Sequence, residues 1–154
     1  MKNESTKDST DTYVKMILKL EIKNELNKHE IIGLNSFANR GYYYTDKNNN
    51  LVKIWAIDGS PYGVSHFRFY LKKSKLVFTD IEFGDLKEEY WNKMDPVVFN
   101  DKNTDYTYEQ TYFINDSTHL TIENHGYLTK IQDNRLKVIL NQFNELLTLI
   151  NNQK

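Results

Sequence analysis

The chain of 154 residues contains no cysteine. Disulfides, thiol catalysis and thiolate metal sites are thereby excluded, although the redox compartment stays open because a small envelope domain can do without crosslinks. Twenty Lys and Arg stand against twenty-one Asp and Glu, for a formal net charge of −1. The basic excess that would neutralise a run of phosphates is missing, so nucleic acid is not an expected partner. No apolar stretch approaches the ~20 residues that span a bilayer, and Met1–Lys7 has no apolar centre of the kind a signal peptide carries. Neither a G-x-S-x-G elbow nor an H-E-x-x-H pair occurs, and no Gly-rich loop opens a helix. No catalytic residue and no cofactor is assigned. The six glycines, several in turn contexts, leave little for a phosphate cradle.

What the chain has in quantity is aromatic residues: eleven Tyr, eight Phe and two Trp. A sheet absorbs such a load well, because aromatic side chains favour the pleated surface and pair across strands. Three times an aromatic-rich run meets a polar turn and returns as a second apolar run. The copies are Tyr42–Thr45 / Asp46–Asn50 / Leu51–Ile54, then Phe67–Leu71 / Lys72–Lys75 / Leu76–Phe78, then Gln110–Ile114 / Asn115–Thr118 / His119–Ile122. Each is a β-hairpin signature. Asp58-Gly59-Ser60-Pro61-Tyr62-Gly63, between the first two copies, is dense in residues suited to tight turns. In the second copy Phe67, Phe69 and Leu71 alternate with His66, Arg68 and Tyr70, giving one apolar face and one polar face that meets water.

Residues 1–11 have no apolar side chain after Met1 and are expected to form a disordered polar tail. A single globular domain follows over 12–151. Thr12 to about Lys28 predicts a helix capped by Asp11, with Tyr13, Met16, Ile17, Leu20 and Asn24 on one side and Val14, Leu18, Ile22 and Leu26 on a neighbouring one. Ile31-Ile32-Gly33-Leu34 reads as a short strand or an irregular lead-in. In the closing segment, Asn134–Asn151, apolar residues recur at three- and four-residue steps from Leu136 to Ile150, and Asp133 is placed to cap the helix. The fold class expected is α+β: an antiparallel meander of about six strands, covered on one face by the N- and C-terminal helices.

Candidate chemistry is thin. The four histidines, His29, His66, His119 and His125, have no convincing metal spacing; His119 and His125 would lie roughly 20 Å apart on one strand. A cross-strand approach of His66 to His119 is conceivable, but a polar-face His is the commoner outcome and no metal is predicted. Asp80 and Glu82 fall on one strand face at i and i+2, where surface charge is commoner than paired acid–base work. Between the second and third hairpins, Asp85–Asp105 breaks the pattern and reads as an insertion carrying Tyr90 and Trp91. Loops of this length in compact domains are functional or mobile. The pair either pins the insertion or contacts a partner, and Tyr90 and Trp91 are the binding residues assigned.

The hairpin Phe69-Tyr70-Leu71-Lys72-Lys73-Ser74-Lys75-Leu76-Val77-Phe78, the earlier Tyr43–Ile54 and the later Gln110–Phe113, with Glu89-Tyr90-Trp91 between, resemble small envelope proteins of Bacteroidetes-type bacteria. These carry repeated Tyr-Tyr-Phe-Lys-Asn-Gly-Lys-Leu hairpins, and the resemblance covers roughly Glu25 to Ile150. The third hairpin departs from the pattern, having no Gly in its turn. The resemblance implies a periplasmic or outer-membrane-anchored domain whose signal or lipid-anchor segment has been removed, with no catalytic residues to carry over; a cytoplasmic location is the alternative. The function expected is non-enzymatic binding of a protein or glycan. One alternative is an immunity or inhibitor protein against one toxin or enzyme; another is a small hydrolase or isomerase with a pocket in the sheet.

Overall fold

A computed structural model of the chain describes residues 2–91, 98–115, 119–122 and 128–154. Eight antiparallel strands form one sheet in strict chain order: β1 (Asn27–Glu30), β2 (Arg40–Thr45), β3 (Leu51–Ser60), β4 (Gly63–Lys72), β5 (Lys75–Leu86), β6 (Thr104–Phe113), β7 (His119–Ile122) and β8 (Leu128–Lys130). Helix α1 (Lys2–Ile22) precedes the sheet and α2 (Asp133–Asn152) follows it. The α+β meander agrees with expectation, but it has eight strands where about six were expected. The additional ones are the two edges. All four residues of β1 are exposed and β8 is three residues long, so neither carries an apolar alternation. Polar or very short edges also resist pairing with another chain.

The hairpins close by local chemistry. In β4–β5 the two turn residues, Lys73 and Ser74, both adopt positive φ, 52° and 66°, between the paired Lys72 and Lys75. That is the type I′ geometry whose twist matches the flanking strands. In β2–β3 the Asp46 carboxylate accepts the amides of Asn48 and Asn50, each at 2.9 Å. The third hairpin pairs Thr111 with Thr121 and Phe113 with His119; its turn at 116–118 lies outside the described residues.

The helices do not share a face. Phe69 packs with Phe143 of α2, ring centroids 5.7 Å apart, in a core that includes Ile54, Ile81, Ile139, Leu146 and Ile150. Its neighbour Tyr70 belongs instead to a second core with Ile17 of α1, Tyr44, Phe78 and Tyr112. Successive strand residues point to opposite sides, so α2 and α1 cover opposite faces of the sheet. The side of β4 expected to meet water is therefore partly covered, and Tyr70 is buried. Consecutive Tyr42, Tyr43 and Tyr44 on β2 put large rings on both sides, and one helix cannot cover both.

Helix boundaries also differ from expectation. The segment expected to be a disordered tail is helical from Lys2. Asp11 lies within the helix rather than at its cap: its carboxylate pairs with Lys7 at 2.6 Å and accepts the Tyr112 hydroxyl at 2.6 Å. The helix stops well before Lys28 because Asn24 turns left-handed, with φ 57°. The Glu25 amide then bonds to Leu20 O and the Asn24 amide to Glu21 O, the pattern of a Schellman C-terminus. At α2, Asp133 is the first helical residue and not the cap, which falls on Gln132 without a side-chain bond.

Candidate functional site

On the face covered by α1, strand register sets side chains in rows across the sheet. The row beneath the helix runs Tyr44, Lys53, Tyr70, Phe78, Tyr112. Lys53 is only 3% exposed; its ammonium pairs with Glu21 of α1 at 2.7 Å and lies 5.4 Å from the ring centres of both Tyr44 and Tyr70. Burial holds Lys53 below the ordinary lysine value, opposed by Glu21. Burial likewise pushes the Tyr44, Tyr70 and Tyr112 hydroxyls up, assisted at Tyr44 by Glu21 and at Tyr112 by the bond to Asp11. This row is closed and structural.

The next two rows leave the helix behind. One runs Tyr42, Trp55, Arg68, Asp80, Gln110; the other runs Arg40, Ile57, His66, Glu82, Tyr108. Apart from the buried Ile57, every side chain in them is half-buried or exposed. The Trp55 indole donates to Nδ1 of His66 at 3.0 Å, with the rings stacked at 5.8 Å. Tyr42 lies 5.6 Å from the Trp55 ring, and the Lys28 ammonium sits 4.1 Å above the centre of Tyr42, a cation–π contact. Arg68 reaches Asp80 at 3.4 Å and Glu82 at 4.0 Å. Burial and the Arg68 charge hold His66 below its ordinary value, with Glu82 opposing. Because Nδ1 accepts the indole proton, the neutral ring carries its own proton on Nε2.

Beyond these rows is an aromatic rim. Tyr62, in the β3–β4 turn, is 54% exposed and Trp91 is 44% exposed; their rings meet edge to face, centroids 5.6 Å apart. Trp91 also donates its indole proton to Leu86 O at 3.0 Å. Tyr90 ends a short 3-10 turn, Glu88–Tyr90, that has no buried residue. The insertion residue Trp91 is thus pinned at one edge and open on the other.

Other expectations fare differently. Asp80 and Glu82 share a face, and both flank Arg68. His66 stands opposite Ile57 and Glu82, whereas His119 packs against Phe113, centroids 5.2 Å apart; the fold does not bring the two histidines together as strand neighbours. His29 stacks on Tyr43 at 4.6 Å, and His125 lies outside the described residues. Among the described residues no group of three or more His, Asp and Glu is placed to hold a metal ion, and no helix is long and apolar enough to cross a membrane. The grouping of Tyr42, Trp55, His66 and Arg68 was not anticipated, because it depends on register between distant segments.

No protein-family model, no curated protein and no solved structure matches this chain. Its function is therefore argued from residues and geometry.

Proposed function

We propose that this chain is a non-enzymatic binding module of the cell envelope, engaging a protein or glycan partner through the exposed half of the α1 sheet face and through Tyr90 and Trp91. The observation that carries this reading is the Tyr62–Trp91 pair: two large rings in contact, each about half exposed. Paired exposed aromatics are what an interface anchor needs, since Tyr and Trp are enriched where truncation costs most. Trp91 is held by its bond to the Leu86 carbonyl, so little side-chain freedom is lost when a partner lands on it. Placement in the envelope rests on the hairpin resemblance.

The test is an affinity pull-down from separated envelope and cytosolic fractions of the native organism, with a Tyr90→Ala/Trp91→Ala double variant as control. One partner retained by the wild type from the envelope fraction and lost by the variant is the expected result. Retention of nothing by either form, from either fraction, would overturn the reading.

A further inference from the structure

We propose that the two exposed rows bind a neutral oligosaccharide, lying across the strands with sugar faces on Tyr42, Trp55 and Tyr108 and hydroxyls on His66, Arg68 and Glu82. This rests on the binding-module reading and names the ligand class for its sheet surface.

The arginines carry the inference. Only three occur in the chain, and two, Arg40 and Arg68, are in these rows. On the opposite face the third makes a tight structural pair: Arg135 Nε lies 2.8 Å from both Glu109 oxygens. Arg68, by contrast, stands 3.4 and 4.0 Å from its two carboxylates, well beyond the roughly 2.7–2.9 Å of a strong charge-assisted bond. Its planar fork therefore retains bonding capacity, with carboxylate acceptors alongside it. Adjacent sugar hydroxyls fit such a site because each both donates and accepts. The Nε2 proton of His66 adds a donor in the neighbouring row.

Aromatic rings lie at both ends of this polar centre, Tyr42 and Trp55 on one side and the 62% exposed Tyr108 on the other. The electron-rich face of an aromatic ring suits the C–H face of a pyranose. From Tyr42 on β2 to β6 the rows cross five strands, a span of about 19 Å at ordinary strand spacing, which suits a short oligosaccharide better than a single ring. Charge argues for a neutral one: Arg40, Arg68 and Lys28, whose ammonium lies over Tyr42, are matched by Asp80, Glu82 and Glu30, the register partner of Tyr42, and His66 is held neutral by burial and by Arg68. A protein partner would have to cover Asp80 and Glu82 in the middle of these rows, and Asp and Glu are depleted at interfaces. It fits the Tyr62–Trp91 rim better.

The chain has two tryptophans, one on each surface, so their indole N–H resonances report the surfaces separately. The experiment titrates 15N-labelled protein with neutral hexasaccharides of glucose (α- and β-linked), N-acetylglucosamine, mannose and xylose, and with a hexagalacturonate as the anionic control. A neutral hexamer is expected to shift the Trp55 resonance and leave Trp91 in place. Tyr108→Ala should then weaken binding about tenfold, and so should Arg68→Lys, which keeps the charge and loses the fork. A Trp55 resonance silent to every neutral hexamer, or tighter binding of the anionic one, overturns the inference. If Trp55 is silent while a Trp91-dependent partner is still captured, the oligosaccharide falls and the binding module stands; failure of both experiments removes both.

Discussion

Trp55 and His66, opposite in sequence direction on neighbouring strands, are joined by a 3.0 Å bond from the indole to Nδ1. That bond exists only while His66 is neutral, because a protonated ring has no acceptor. Burial, then Arg68, depresses His66 below its ordinary 6.5. A depressed value means the unfolded chain binds the proton more readily, so this contribution to stability is complete above pH 6.5 and is lost as pH falls through the folded-state value. The Trp55 indole proton should move upfield over that acid range while Trp91 stays put. Absence of any movement, or equal movement of both, would refute the coupling; a His66→Gln variant should abolish the transition.

Tyr112 is tied to the first half of α1 by its 2.6 Å bond to Asp11. Asp11 retains some solvent contact, 30% for its side chain, so the lower part of the range for a bond to a charged group applies. Tyr112→Phe should cost about 1.5 kcal/mol, lowering the thermal midpoint by about 3–6 °C for a domain of this size. Deleting residues 2–11 should lower it further, since Lys7 and nearly three turns of helix go as well. Were the segment an unstructured tail, deletion would leave the midpoint unchanged.

The β4–β5 turn places Lys73 and Ser74 at positive φ, where side chains other than Asn, Asp and Gly are strained. A Lys73→Asn/Ser74→Gly variant supplies the residues that type I′ turns prefer. It should stabilise the fold by about 1 kcal/mol, read as a higher urea midpoint with an unchanged slope. A lower midpoint would mean the observed turn is not the one formed in solution.

The hairpins were legible because each combines a turn with its own flanking strands, all within local sequence. What stayed hidden depends on distant partners. A polar stretch such as 2–11 reads as a tail, since short helices are marginal alone; here Lys7–Asp11–Tyr112 contacts supply the tertiary support. Two helices on opposite faces were foreshadowed by Tyr42-Tyr43-Tyr44, which puts rings on both sides of β2. Asn24, a residue that tolerates the left-handed conformation, stops α1, although helix formers continue in the sequence to Lys28. Of the candidate site, Asp80 with Glu82 was readable from spacing alone. Their meeting with Arg68, and that of Trp55 with His66, required the register of three strands. Tyr90 and Trp91 stood out as aromatics in an insertion, but Tyr62, the ring completing the exposed pair, looked like one more turn residue.

The ion pair of Lys53 with Glu21 should respond unequally to loss of its two members. Lys53 is 3% exposed, while the Glu21 side chain keeps 25%. Glu21→Gln strands an ammonium among Tyr44, Tyr70 and apolar neighbours, and burial already holds Lys53 below its ordinary value. Loss of the counter-charge lowers it further. Breaking a fully buried pair costs about 3–5 kcal/mol; discounted for the exposure of Glu21, about 1–2 kcal/mol is expected. Lys53→Met instead removes the buried charge, fills much of the same volume, and leaves a carboxylate that can turn to water. That variant should lie within about 1 kcal/mol of the wild type, because apolar replacements of buried ions are often neutral or stabilising. Urea unfolding of both variants at pH 7 decides the matter. The opposite order, with Lys53→Met the more damaging, would mean that Lys53 contributes through its two ring contacts more than its burial costs.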